Sequence, residues 1–146
     1  TLFRSVVLHG RLDRISRTTD GLFIVDYKRS RAPTKRELIP FEGASTYQIP
    51  CYVYLAEAAE GPVSRAVYYS LFKAKETKVF VTDDKRSWLT REELDAFVEV
   101  MLRRLREMAG AIVAGDYGVD EPGNGCDTCS IRAICRRRYV VRRGAR

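Results

Sequence analysis

Residues 22–28 have the sequence Leu-Phe-Ile-Val-Asp-Tyr-Lys, an unbroken apolar run that ends in charge. Branched and aromatic residues favour β-strands, and four consecutive apolar side chains are typical of a strand that is buried on both faces. Side chains alternate along a strand, so Asp26 and Lys28 are expected to project from the same face. The run therefore predicts a buried strand that brings a carboxylate and an ammonium to one edge of a sheet.

The residues before this run predict a partner strand. Residues 2–15 are rich in β-forming side chains and partly alternate, which predicts one long strand. The sequence Thr-Thr-Asp-Gly at 18–21 is typical of a tight turn. Antiparallel pairing would place Asp13, near the end of the first strand, beside Asp26 and Lys28.

A basic loop and a helix are expected next. Residues 29–43 contain two prolines and are predicted to be a loop. Ser45 and Gln48 have the spacing of a capping box, so a helix is expected from Ser45 to about Glu60. Pro50 lies early in this helix and is expected to remove one hydrogen bond and to bend it.

The second half of the chain predicts two more strands and a long helix. The strands are expected at 64–72 and 77–82. The helix should begin at the capping box of Thr90 and Glu93 and end by Gly115. Its apolar stripe, predicted to be core, consists of Leu94, Phe97, Val98, Met101, Leu105, Met108 and Ile112.

The element order β-β-α-β-β-α predicts an α/β fold with a mixed central β-sheet flanked by helices, followed by a C-terminal cysteine knuckle. The length of 146 residues fits one domain. Residues 1–115 are expected to be its core, and 116–146 to carry a cysteine cluster and a basic tail. Thr1 leads at once into strand-like sequence, so the true N-terminus is expected upstream. No apolar run approaches the roughly 20 residues needed to span a membrane, so no membrane partner is expected.

Charge is segregated along the chain, whose formal net charge is +7. Residues 1–36 carry +6, residues 37–131 carry −6, and residues 132–146 hold seven arginines and no acid. This asymmetry favours a polyanionic partner. The alternative is a solvated basic face followed by a frayed tail.

Two carboxylates and a lysine at one sheet edge favour phosphodiester hydrolysis. Hard oxygen ligands hold Mg²⁺ or Mn²⁺, and such a metal polarises a phosphate and acidifies a bound water. A nearby lysine can orient that water or stabilise charge on the phosphate oxygens. The alternative is a surface ion pair between Asp26 and Lys28, which would contribute about 0.5 kcal/mol.

Three segments carry a resemblance: Gly10-Arg11-Leu12-Asp13-Arg14-Ile15, Ile24-Val25-Asp26-Tyr27-Lys28 and Gln48-Ile49-Pro50-Cys51-Tyr52. In order and spacing they are similar to successive motifs of the PD-(D/E)XK nuclease superfamily, in its RecB-like branch. The resemblance covers approximately residues 6–135 and implies a restriction-endonuclease-like core. It implies that Asp13, Asp26 and the Tyr27 carbonyl bind the metal and that Lys28 is the catalytic lysine. Gln48 and Tyr52 would position the substrate and the active site; the alternatives are a helix cap and a packing role.

One feature departs from that branch. Its members usually supply a metal-binding histidine from a helix before the first motif, and this chain begins too late to contain that helix. His9 is the only histidine of the sequence. It is expected to be a sheet side chain and not a metal ligand.

Cys126, Cys129 and Cys135 form the pattern Cys-x2-Cys-x5-Cys. Three thiolates this close repel one another unless a cation or a cluster neutralises them, and zinc sites and iron–sulfur clusters normally use four ligands. Cys51 is expected to be a buried packing residue. The uneven spacing is unlike a secreted disulfide framework and favours a reducing, cytoplasmic location.

The same resemblance implies a ligand for this cluster. In AddB-type helicase–nuclease subunits and in CRISPR-associated RecB-like nucleases, three cysteines of this pattern join one upstream cysteine to hold a [4Fe-4S] cluster. By that resemblance the three are cluster ligands and the fourth precedes Thr1. Zinc, or three free cysteines, are the alternatives.

The predicted function is that of a Mg²⁺- or Mn²⁺-dependent deoxyribonuclease, an exonuclease that belongs to a DNA repair or recombination helicase–nuclease. Its expected partners are DNA and helicase domains or a helicase subunit. The alternatives are a non-catalytic nucleic-acid-binding module and a protein-docking domain. The residues expected to contact DNA are Arg11, Arg14, Arg29, Arg31, Arg136, Arg137 and Arg138.

Overall fold

The computed structural model describes residues 7–39 and 41–116. The chain divides into two compact units, Thr1–Ala109 and Gly110–Arg146, and only residues 110–116 of the second are described. In the described ranges, no helix is long and apolar enough to cross a membrane. The elements are β1 (Arg14–Thr18), β2 (Gly21–Lys28), α1 (Lys35–Leu38), a 3₁₀ turn (Phe41–Gly43), α2 (Gln48–Ala59), β3 (Val63–Ser70), β4 (Lys75–Val81) and α3 (Arg91–Ala114).

The four strands form one mixed sheet in the order β1-β2-β3-β4. β1 and β2 are antiparallel, β2 and β3 are parallel, and β3 and β4 are antiparallel. A parallel pair needs a crossover, which α2 supplies while it packs on β2 and β3. The mixed sheet flanked by helices that the sequence predicts is confirmed.

The turn between β1 and β2 depends on Gly21. Its φ of +131° is a conformation that side chains rarely adopt, and a Cβ there would lie 2.7 Å from the carbonyl oxygen of Pro62. The next residue, Leu22, donates its N–H to that carbonyl at 2.8 Å. Gly21 thus lets the start of β3 approach the start of β2, and the predicted turn is confirmed.

The core gathers apolar side chains from the sheet, α2 and α3. Phe41 from the 3₁₀ turn stacks on Phe97 of α3 with ring centroids 4.6 Å apart. The predicted stripe of α3 is core only in its first part, because Met108 is 61% exposed. The capping box of α3 is confirmed, since the Thr90 N–H donates to the Glu93 carboxylate at 2.8 Å. The fully buried members include Ile24, Ala66, Val79, Ile49, Val53, Leu89, Leu94, Phe97 and Met101.

The predicted first strand is wrong over residues 7–13, since β1 begins at Arg14. The Asp13 carboxylate, and not a main-chain carbonyl, accepts the N–H of Tyr27 at 3.0 Å. A Cβ on Gly10 would lie 2.6 Å from the side chain of Leu55. The segment therefore passes against α2 and does not continue along β2. The remainder of that prediction, residues 2–6, lies outside the described residues.

The predicted first long helix is present, but its predicted capping box is wrong. α2 begins at Gln48 with Tyr47 at the N-cap and no side-chain cap, so Ser45 and Gln48 form no capping box. Pro50 is the third helical residue, where the main-chain N–H has no helical partner in any case. It therefore removes no hydrogen bond, and the reason given for a bend does not apply.

The predicted basic loop contains short helical structure. Glu37 accepts hydrogen bonds from the Thr34 main-chain N–H at 2.6 Å and from its hydroxyl at 2.9 Å, and these contacts hold the first turn of α1. The Thr-x-x-Glu spacing is present in the sequence and could have revealed this turn.

Candidate active site

Asp26 and Lys28 lie at the carboxyl end of β2, beside the parallel strand β3. Asp26 is 1% exposed, and its Oδ2 lies 2.6 Å from the Lys28 ammonium. Within the part of the chain that the structure describes, this oxygen accepts no hydrogen bond of regular geometry. The predicted placement of both side chains on one face thus produces a buried ion pair at a strand end.

Asp13 lies immediately before β1 and joins the same end of the sheet. Its Oδ2 accepts the Tyr27 N–H, which fixes the carboxylate beside the second strand. Asp13 is close enough to Asp26 that its charge and a side-chain contact both raise the Asp26 pKa. The structure therefore brings Asp13, Asp26 and Lys28 together.

The pKa of Asp26 is raised above its usual value. The largest cause is burial, which penalises the charged carboxylate, and the neighbouring Asp13 acts in the same direction. The Lys28 ammonium opposes both, but it does not cancel them. A further positive charge beside Asp26 would therefore stabilise its ionised carboxylate.

Gln48 and Tyr52 connect α2 to the lysine. The Lys28 ammonium donates to the Gln48 side-chain carbonyl at 2.6 Å, and the Gln48 amide donates to the Tyr52 hydroxyl at 2.9 Å. Residues four apart share a helix face, which explains how both reach the same point. Since α2 starts at Gln48 without a side-chain cap, this glutamine is free to bind the lysine.

Tyr68 is a site residue that the motifs did not indicate. It pairs in register with Asp26 across β2 and β3, and the Lys28 ammonium lies 5.3 Å from the centre of its ring. Its hydroxyl is buried and forms no regular hydrogen bond among the described residues, and burial raises its pKa further above the ordinary value. Tyr68 is therefore neutral, and the face of its ring makes a cation–π interaction with the Lys28 ammonium. Its sequence signal, a tyrosine within a Val- and Tyr-rich strand, is weak.

An open groove of about 670 Å³ runs beside these residues. Asp13 lies in its wall, whereas the buried Asp26 does not. The wall also includes Leu71, which lies in the turn after β3 and which no motif indicated. The lining residues are Arg11, Leu12, Asp13, Tyr27 and Leu71.

The predicted DNA-contacting arginines differ in their surroundings. Arg11 is exposed in the wall of the groove. Arg14 donates to the Ser16 hydroxyl at 3.2 Å and to the Tyr27 hydroxyl at 3.5 Å. Arg31 makes two 2.8 Å hydrogen bonds to Glu37, so its guanidinium is engaged within the chain, whereas Arg29 is exposed.

The other candidate ligands lie apart from this site or outside the described residues. His9 is exposed in the segment before β1 and not in a strand. Cys51 is partly buried in α2, where burial raises the pKa of its thiol, in keeping with a packing role. Beyond the described residues are Cys126, Cys129, Cys135, Arg136, Arg137 and Arg138.

The two carboxylates fit a divalent cation of the Mg²⁺ type. Such ions are held by one or two carboxylates and complete their shell with water and phosphate oxygens. Asp26 contributes a buried oxygen without a regular hydrogen bond, and Asp13 contributes a second carboxylate at the groove. Among the residues that the structure describes, no group of three or more His, Cys, Asp or Glu could hold a metal. Within these ranges, the remaining ligands would come from main chain, water or substrate.

A mixed sheet with two carboxylates and a lysine at one strand end belongs to a known class of fold. The family model of the PD-(D/E)XK nuclease superfamily matches residues 2–136. The chain therefore belongs to the PD-(D/E)XK nuclease superfamily. No curated protein matches the sequence.

Proposed function

We propose that the chain is a Mg²⁺- or Mn²⁺-dependent deoxyribonuclease. The observation that carries the proposal is the linked arrangement of the buried Asp26, Lys28 and Gln48 beside a second carboxylate, Asp13. A surface ion pair would need neither a buried carboxylate nor a lysine held by a second element. Membership in a nuclease superfamily supports the same reaction.

In the proposed reaction, each side chain has a separate task. Asp13, Asp26 and the Tyr27 carbonyl would hold the cation, which when bound supplies positive charge to the phosphate and acidifies a water. Lys28 stabilises negative charge that develops on the scissile phosphate. Gln48 holds the lysine amine in place, because its carbonyl accepts from Nζ at 2.6 Å. The same contacts hold Lys28 between Asp26 of β2 and Gln48 of α2.

The charge pattern supports DNA as the substrate. The groove opens next to the exposed Arg11. Basic side chains neutralise backbone phosphates irrespective of sequence, while the acidic centre is reserved for the cation. We infer exonuclease activity within a DNA repair or recombination helicase–nuclease from the motif resemblance, with helicase domains or a helicase subunit as partners.

The test is Mn²⁺-dependent cleavage of end-labelled linear DNA by the wild type and by Asp26→Asn. The matched control is Asp20→Asn, which makes the same change at an exposed position in the turn at the other end of β2. Cleavage by the wild type and the control, with loss in Asp26→Asn, supports the proposal. Equal cleavage by all three proteins would remove Asp26 from the mechanism.

A non-catalytic DNA-binding module is the second candidate. It is favoured by the Lys28 ammonium, which already lies 2.6 Å from the buried Asp26 carboxylate where a cation would bind. This candidate predicts salt-sensitive DNA binding that is unchanged by Asp26→Asn, and no cleavage by any variant. The same three proteins therefore separate the two functions.

We also infer, from the motif resemblance that Cys126, Cys129 and Cys135 carry, a [4Fe-4S] cluster with zinc as the alternative. Iron and acid-labile sulfide in the purified protein would support the cluster, and zinc without iron would support the alternative. Substitution of Cys129 by serine should lower the bound metal in either case, whereas Cys51→Ser should not.

A further inference from the structure

The turn between β3 and β4 presents two apolar side chains to solvent. Phe72 is 85% exposed and Leu71 is 58% exposed, and the two are adjacent in sequence. Single exposed apolar residues are common and need no explanation. Here an aromatic ring and its neighbour stand together at a turn, and Leu71 also lines the groove that contains Asp13.

The turn is fixed to the end of β2. The Leu71 N–H donates to the Lys28 carbonyl at 2.8 Å, and the Phe72 N–H donates to the Arg29 carbonyl at 2.9 Å. Ser70 adds a third tie, because its hydroxyl donates to the Ser30 carbonyl at 2.6 Å. The main chain that carries Phe72 is therefore held against Arg29, the residue that follows Lys28 of the candidate site.

Three cationic residues lie next to the turn. Lys73 and Lys75 follow Phe72 in the chain, and Arg29, whose carbonyl accepts the Phe72 N–H, follows β2; all three are exposed. An apolar surface beside cationic residues matches the chemistry of a nucleic acid strand, which has phosphates on one side and aromatic bases on the other. An apolar protein surface would not complement these charges.

We propose that Phe72, supported by Leu71, is a stacking platform for a DNA base near the phosphate that enters the groove. The inference rests on the proposed function, since it assigns that site a second contact with its substrate. Lys73 and Lys75 would bind the flanking phosphates. The base is either unpaired or the terminal base of a duplex, and both expose a π-face.

The test is DNA binding in EDTA, measured by fluorescence anisotropy, so that it does not depend on cleavage. Phe72→Ala should weaken binding by about tenfold, on a single-stranded oligonucleotide if the base is unpaired or on a blunt duplex if it is terminal, because base–aromatic stacking contributes on that order. Phe72→Leu should lose most of the same affinity, whereas Phe72→Tyr should keep it. Met108→Ala, which removes another exposed apolar side chain, is the control and should bind as the wild type does.

Two further measurements distinguish a loss of stacking from a general loss of DNA affinity. The slope of affinity against salt should be unchanged in Phe72→Ala, and should fall by about 0.7 in Lys73→Ala if that lysine neutralises one phosphate of a single strand. A Phe72→Trp variant should lose tryptophan emission on DNA binding relative to the wild type, whose one tryptophan is the partly buried Trp88.

Circular single strands and blunt duplexes distinguish the two sources of the base. A loss on the circle assigns an unpaired base, and a loss confined to the blunt duplex assigns a terminal base. Wild-type affinity of Phe72→Ala on both would overturn the platform and leave the turn as a docking point for protein. Absence of cleavage by the wild type, with the Phe72 effect intact, would instead overturn the nuclease proposal and leave the platform standing.

Discussion

The two ends of the parallel pair β2 and β3 lie beside carboxylates in opposite electrostatic states, Asp26 in β2 and Glu57 in α2. At the carboxyl end, burial raises the pKa of Asp26 despite its lysine partner. At the amino end, burial of Glu57 is outweighed by hydrogen bonds from Arg91 and the Val63 N–H, so its pKa is lowered. The cavity at the amino end is the larger, about 890 Å³ against about 670 Å³. The candidate site is therefore distinguished by Asp26, whose negative charge its neighbours do not fully stabilise, and not by the size of its cavity.

The largest expected effect is the loss of cleavage in Lys28→Met. Removal of the ammonium takes away stabilisation of the developing phosphate charge, and a decrease in kcat of at least about a hundredfold is expected. Lys85→Met, in the wall of the amino-end cavity, should leave kcat unchanged. Single-turnover cleavage rates at saturating metal measure both. Similar losses in the two variants would break the distinction between the two ends.

A smaller effect is expected when the lysine is kept but its support is removed. Gln48→Ala deletes the acceptor of Nζ, and the resulting misplacement should lower kcat about tenfold with little change in KM. Glu57→Ala lies on the same helix at the other end and should lower stability without this change in kcat. A rise in KM with an unchanged kcat in Gln48→Ala would instead assign the glutamine to substrate binding.

Stability against pH should have opposite signs at the two ends. The raised folded pKa of Asp26 means that its charge destabilises the fold at neutral pH, and this cost disappears as the pH falls through that pKa towards 3.8. Glu57 has a lowered pKa, so its contribution is present above 4.5 and is lost as the pH falls through its folded pKa.

In EDTA at pH 7, Asp26→Asn should therefore raise the free energy of unfolding, whereas Glu57→Gln should lower it by about 1 kcal/mol. Urea unfolding of the two variants and the wild type between pH 4 and pH 7 measures the effect. A loss of stability in Asp26→Asn at pH 7 would show that its ion pair with Lys28 is structural.

The smallest effect concerns surface charge along the first hairpin. Arg11 lines the groove, while Arg17, towards the other end, binds the Glu60 carboxylate at 3.0 Å. Arg11→Ala should reduce the salt dependence of duplex binding by about 0.9 in slope, as expected for one lost phosphate contact. Arg17→Ala should change the slope little. Equal slopes in both variants would mean that DNA does not pass along the groove.

Much of the fold follows from local patterns in the sequence. The apolar run before Asp26 predicts β2, and the turn and the Thr90–Glu93 capping box predict their elements to within a few residues. The sequence-based predictions were wrong where a side chain makes a hydrogen bond to a residue distant in the sequence. Gln48 has the spacing of a cap but binds Lys28, and Asp13 follows a β-rich segment but accepts a main-chain N–H across the hairpin.

The candidate site was predictable as a set of residues but not as an arrangement. Spacing placed Asp26 and Lys28 on one face, and the motif resemblance indicated Gln48 and Tyr52. Tyr68 depends on the register of β2 against β3, and the position of Phe72 depends on hydrogen bonds to the end of β2. Both are long-range properties that no local pattern contains.

The short length of β1 has a consequence for solubility. Among the strands that the structure describes, β1 forms one margin of the sheet; it has five residues and includes Arg14 and Arg17. Exposed edge strands can pair with strands of other molecules, and edge strands that are short and positively charged do so less readily. At the opposite margin, the Leu89 N–H donates to the Val79 carbonyl at 2.9 Å and covers part of β4. The sheet is therefore protected at both sides against edge-to-edge aggregation, by repulsion at one and by a bound segment at the other.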